Sequence, residues 1–297
     1  MRTNHAKTIR CVRIGNHEVG PGQPAFLTAE IGINHNGDIA IAKKLIDKAS
    51  QFGYGAVKFQ KRTLQVVYTA EELNQPRESP FGVTNGDLKR KLEFGKEEYA
   101  EIDCYCRVKG ILWFASPWDE ESVDFLEEFN PPCYKIASAG LTDDHLLAYI
   151  RATKRPIMLS TGMSTLEEID HAVEILQDSP LILLHCTSTY PSKHEELNLS
   201  VIATLQERYH LPVGYSGHEV DVIPSLVAVV SYGACIVERH VTLDRSMWGS
   251  DHAASLEPRG MELLSKYIRL WPIIKGDGVK QVYDSERAIK KKLRRKG

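Results

Sequence analysis

The chain has 297 residues, 42% of them hydrophobic, enough to bury a sizeable core in one large domain or two small ones. A formal net charge of -2 gives no whole-molecule attraction to nucleic acid or an anionic membrane, so an anionic ligand must be bound locally. The opening MRTNHAKTIR lacks the apolar stretch of a secretory leader, and no apolar run approaches the roughly 18 residues of a membrane span, so a cytoplasmic protein is expected. Six cysteines without CxxC spacing read as reduced thiols, mostly buried.

In chain order, TIRCVRIGNHEVGPGQP alternates about a Gly15-Asn16 turn signal and predicts a β-hairpin. Eight short apolar runs follow: FLTAEI from Phe26, GAVKFQ from Gly55, ILWFAS from Ile111, CYKIAS from Cys133, PIMLST from Pro156, LILLHC from Leu181, PVGYSG from Pro212 and ACIVERH from Ala234. Helical periodicity separates them, most clearly in IAIAKKLIDKASQFG, STLEEIDHAVEILQ and DVIPSLVAVVSYG, with Asp38 and Ser164 as expected N-caps of the first two. Eight βα units predict a (β/α)₈ TIM barrel over residues 1–275, its N-terminal mouth covered by the hairpin. Residues 63–95, long, polar and punctuated by proline and glycine after the second strand, read as a lid or binding loop. Residues 276–297 read as a linker-like basic tail, either solvated or a docking site for a subunit or an acidic ligand.

Reactive groups of such barrels sit at the C-terminal ends of strands. There the chain places Glu30, Lys58, Gln60, Ser116, Lys135, Ser138, Ser160, Thr161, His185, Thr187, Ser188, Ser216, His218, Glu238 and His240. An inward lysine is costly unless paired. Lys58 and Lys135 therefore point to a bound phosphate or carboxylate, or else to ion pairs with Glu30 or Glu238. Phosphoenolpyruvate (PEP) offers both anionic groups, with the serine hydroxyls as donors. His218 and His240 end consecutive strands, about 4.8 Å apart, so both imidazoles can reach one ion. Glu30, on the strand that closes the ring, and Asp251 lie on the same arc and could complete a site for Mn²⁺, Mg²⁺ or another divalent ion.

The motifs AEIGINHNGD, AVKFQKR, YKIAS, LSTGMSTLEEI, LHCTSTYPS, GYSGH and ERHVTLDR, in that order from Phe26 to Ile274, resemble the sialic acid synthases. The resemblance implies a metal-dependent condensation of PEP with a six-carbon aldose, an N-acetylmannosamine-like hexose, to a nonulosonate. It implies a PEP-binding set of Lys58, Ser116, Lys135, Ser138, Ser160 and Ser216, and metal ligation by His218 and His240. Glu30, Asn34 and His35 fall near the reacting centre, Asp251 beside the metal, and Ser188 and Tyr190 of the sixth-strand motif among the sugar contacts. A homodimer is likewise implied.

Departures cluster on the sugar side. Ser188 stands for the usual asparagine, Gly140 for a glutamate, and MWGSDHAAS for a proline-rich loop. The family's C-terminal antifreeze-like domain, whose arginine reaches the partner subunit's site, is expected to be lacking, with Arg77 or Arg90 as candidate substitutes. The expected chemistry has PEP C3 attack the aldehyde carbon and water, handled by Glu30 or Asp251, trap C2. Two rival readings are a Schiff-base aldolase using Lys58 or Lys135 and a non-catalytic sugar-binding barrel.

Overall fold

The computed structural model describes residues 9–295. The opening residues 1–8, read above for a leader, and residues 296–297 of the basic tail lie outside them. Strands β1 (Val12–Ile14) and β2 (His17–Val19) form the expected hairpin, with Gly15 at φ +56° in its turn. β3 (Phe26–Glu30) and β4 (Ala56–Lys61) follow, then a small hairpin of β5 (Pro76–Ser79) and β6 (Gly82–Thr84). The remaining strands are β7 (Leu112–Pro117), β8 (Tyr134–Ile136), β9 (Ile157–Ser160), β10 (Leu181–Cys186), β11 (Val213–Gly217) and β12 (Ile236–His240).

Eight of these strands make one parallel sheet in the order β7-β4-β3-β12-β11-β10-β9-β8. β7 and β8 lie side by side at its two ends, so the sheet curls into a nearly closed barrel. All eight predicted runs are strands, and the TIM-barrel expectation is met.

Alternation along each strand sorts the side chains. One set, including Leu27, Val57, Trp113, Leu159, Leu183 and Val237, packs outward against the helices as the main core. The other set points inward. At the N-terminal end Phe26, Ala56, Phe114, Cys133, Met158, Ile182 and Ile236 pack with Val12, Ile14 and Val19 of the hairpin, which plugs that mouth.

Local chemistry sets the helix ends. Asp38 caps helix Ile39–Gln51, accepting from the Ala40 amide at 2.7 Å. For helix Leu166–Ile175 the expected cap Ser164 is one residue early: Thr165 caps it through a reciprocal capping box with Glu168. Segment 63–95 is not an irregular loop. It holds helices Leu64–Val67, Ala70–Asn74 and Asn85–Leu92 around the β5–β6 hairpin, two of them opened by capping boxes, Thr69 with Glu72 and Thr84 with Asp87. Within the tail, helix Asp284–Leu293 is exposed throughout. No helix among the described residues is long and apolar enough to cross a membrane.

Candidate active site

The inward positions at the C-terminal ends of the strands enclose a cavity of about 240 Å³. Of the candidate catalytic, substrate and metal residues, only Asn34, His35 and Asp251 stay off its wall. Strand register explains the convergence: Glu30 lies beside Lys58 on one side and His240 on the other, and Ser216 beside Glu238.

Both lysines meet glutamates on the cavity wall. Lys58 Nζ is 3.2 Å from Glu30 Oε2, 3.3 Å from Glu238 Oε1 and 3.2 Å from Ser116 Oγ. Lys135 Nζ is 3.4 Å from the same Glu238 oxygen, so both cations are paired inside the barrel rather than left bare. Burial works against the charge on Lys58, but Glu238 and Glu30 outweigh it and raise its pKa. For Lys135 burial wins and lowers it. Burial likewise pushes the Glu238 carboxyl up, yet Lys135 and Lys58 pull it down to about 2. In Glu30 burial prevails over Lys58 and raises the pKa to about 7, with Glu238 adding to the rise. Two carboxylates of one barrel end are thus driven apart by their surroundings.

Glu238 is the residue whose weight the sequence reading missed. The signal was present: it stands two residues before His240 on one strand, hence on the same inward face.

The serines divide. Ser116 accepts from Lys58, Ser216 donates to Glu238 at 3.2 Å, and Ser138 accepts from the Gly162 amide at 3.0 Å. Ser160 Oγ is buried on the cavity wall without a partner. A Cβ on Gly162 would fall 2.3 Å from Ser188 Oγ and 2.8 Å from Ser138 Oγ, so glycine is what lets the fifth-strand loop approach.

The imidazoles of His218 and His240 have centroids 5.4 Å apart, and Tyr190 packs over His218 at 4.1 Å. His218 Nδ1 faces the Thr187 carbonyl at 2.8 Å, which fixes that nitrogen as an N–H donor; burial works against a charge on the ring, but Cys186 outweighs it and raises its pKa. His240 Nδ1 is buried without a hydrogen-bond partner, and burial lowers the pKa of the ring to about 3. A neutral imidazole with an unspent nitrogen fits a metal ligand.

The other two carboxylates of the expected ligand arc are held by protein groups. Glu30 is engaged by Gln60, which donates at 2.8 Å, and by Lys58. Asp251 Oδ2 is 3.7 Å from His240 Nδ1, while its other oxygen accepts from Ser250 at 2.6 Å. Among the described residues no group of three or more His, Cys, Asp or Glu forms a complete set.

Asn34 and His35 have other work. Asn34 donates to the Val241 carbonyl at 2.9 Å and to Ser255 Oγ at 2.8 Å, while His35 accepts from the Gly37 amide at 3.0 Å and stacks on Phe94 at 3.9 Å. Both brace the loop after β3. Arg77 and Arg90 are spent locally, on Asn85 and Asp87, and neither lines the cavity.

With that geometry in place, the model of the NeuB family matches residues 45–280. The chain belongs to the NeuB family. N-acetylneuraminate-9-phosphate synthase of Mus musculus is 39% identical over 280 residues, which span 93% of this chain and 78% of that protein. N,N'-diacetyllegionaminic acid synthase of Legionella pneumophila is 35% identical over 286 residues, 93% of this chain and 80% of its own length. Among solved structures, the N-acetylneuraminic acid synthetase of Leptospira borgpetersenii, in complex with citrate, superposes with a TM-score of 0.83 at 33% identity, covering 98% of this chain and 100% of that one. This NeuB-family chain is therefore sialic-acid-synthase-like over nearly its whole length.

Proposed function

We propose that this NeuB-family chain joins PEP to the aldehyde of an open-chain, N-acetylmannosamine-like aldose, giving a nonulosonate and phosphate. The observation that carries this reading is the meeting of Lys58, Lys135, His218 and His240 on one small cavity.

Glu238 pairs with both lysines and holds them against the cavity. An entering phosphate and carboxylate take up their remaining donors, and Ser160 Oγ, unspent within the protein, is a further donor to the anion. PEP C3 then attacks the aldehyde carbon, forming the new carbon–carbon bond. Glu30, near half-ionised at neutral pH, accepts a proton from the water that adds at C2. The former aldehyde oxygen takes up a proton to become a hydroxyl, and the adduct loses its C2 hydroxyl proton as its C–O bond to phosphate breaks, giving the ketone and free phosphate. Asp251 lies beside His240 and off the cavity wall, so Glu30 is the better placed of the two carboxylates. His218 and His240 would hold a divalent ion, Mn²⁺ or Mg²⁺, and the chemistry it would supply there is Lewis-acid polarisation of the aldehyde.

The test is phosphate release from PEP with N-acetylmannosamine, mannose and related aldoses, with and without chelator. Release that requires an aldose and stops with chelator is expected; release independent of aldose, or none with any, overturns the reading. One observation favours the Schiff-base alternative, the lowered pKa of Lys135. Borohydride with a keto acid would then attach covalently at Lys135, whereas the condensation predicts no adduct. The family resemblance also supports a homodimer, which sedimentation of the purified chain tests.

A further inference from the structure

Side chains alternate along β12. Glu238 and His240 line the cavity, while Arg239 between them points to the other side of the sheet, where its neighbour Val237 is apolar core. An arginine buried there needs partners for its donors, and Nη1 and Nη2 find them while Nε has none. Nη1 is 2.8 Å from Glu219 Oε1 and donates to the Asp221 carbonyl at 2.8 Å and Ser225 Oγ at 3.0 Å, while Nη2 donates to the Glu219 carbonyl. Both side chains of the ion pair are 0% exposed.

Glu219 directly follows His218. Its Oε2 accepts from the Tyr215 hydroxyl at 2.8 Å and its Oε1 from Ser225 at 3.2 Å. The carboxylate folds back over the end of β11, where a Cβ on Gly217 would lie 2.6 Å from Oε2. One guanidinium therefore staples residues 218–222 to β12. Arg245 grips the same loop from the far side, donating to the Val220 and Ser255 carbonyls at 2.8 Å each.

A buried ion pair is a poor way to gain stability, since apolar residues of similar volume serve as well. What it fixes here is position. His218 and His240 come from different strands, and the relation between their rings depends on how the loop carrying His218 is tied to the strand carrying His240. We propose that Glu219 and Arg239 are positioning residues for the two imidazoles, setting the affinity for a divalent ion while leaving the anion-binding half of the cavity unaffected. The proposal rests on reading His218 and His240 as the ion-holding pair.

The test separates the two halves. Mn²⁺ binding is followed by the electron paramagnetic resonance signal of the free ion, and PEP binding by calorimetry in chelator, for the wild type, Glu219→Gln, Arg239→Met, Gly217→Ala and a His218→Ala reference. Mn²⁺ affinity is expected to fall about 10–100-fold in the first three variants, with PEP affinity within about two-fold of wild type. Unchanged Mn²⁺ affinity in folded Glu219→Gln or Gly217→Ala overturns the proposal, as does an equal fall in PEP affinity. If Arg239→Met does not fold, those two variants, which keep the arginine, decide. Wild-type affinity in His218→Ala would instead sink the reading of the imidazole pair itself.

Discussion

The two mouths of the barrel are built from the same strands and differ by a shift of two residues. Ala56 gives way to Lys58, Phe114 to Ser116, Cys133 to Lys135, Met158 to Ser160 and Ile236 to Glu238, each pair sharing one inward face. One end is a dry plug closed by a hairpin; the other is a lattice of charges and hydroxyls closed by its own ion pairs. Strand geometry supplies the convergence at both ends, and residue chemistry alone decides whether the result is a core or a site.

That contrast is broken most severely at Glu238. Glu238→Gln removes the partner of Lys135 and one partner of Lys58, and should cost about 3–5 kcal/mol of stability in urea melts. Inorganic phosphate or PEP should restore more stability to this variant than to the wild type. The pH dependence follows from the same group. Its pKa in the fold, about 2, lies below the ordinary 4.5, so its contribution is present above that ordinary value and is lost as pH falls towards 2. The variant should lack that loss.

At the plug, Ile14→Ala should cost about 2–4 kcal/mol in the same melts, with kcat/KM per folded molecule unchanged. A fall in activity there would mean that the two ends are coupled. Glu30→Gln sharpens the other side: turnover should drop about 100-fold, and the rise of activity with pH through about 7, where Glu30 ionises, should disappear from the profile. The smallest effect is expected at Ser160→Ala. Its hydroxyl has no partner in the protein, so stability should change by less than about 1 kcal/mol, while the Michaelis constant for PEP rises about ten-fold.

Much of this was legible in the residues. Short apolar runs marked all eight strands, and a turn signal marked the plug, because both depend on local pattern. Most of the polar strand ends line the cavity, while Thr161, His185 and Thr187 stay off its wall. Glu30 and Glu238 were legible as partners for a lysine, but not that Glu238 serves both, because pairing across the barrel is a long-range property that spacing does not assign. Asn34 and His35 were placed nearer the cavity than they sit, since a motif marks a loop without saying which side chains brace it and which face inward. The helices within residues 63–95 could have been found from Thr69 with Glu72 and Thr84 with Asp87, whose three-residue spacing is a local signal masked by proline and glycine.

The chemistry proposed for the charged end is tested most directly by turnover of PEP and an accepted aldose in ¹⁸O-labelled water, with mass analysis of both products. Attack of water at C2 predicts a 2-keto acid heavier by one ¹⁸O label than the aldose plus a pyruvate unit, together with phosphate free of the label. Phosphate carrying one ¹⁸O would show cleavage at phosphorus and contradict the account.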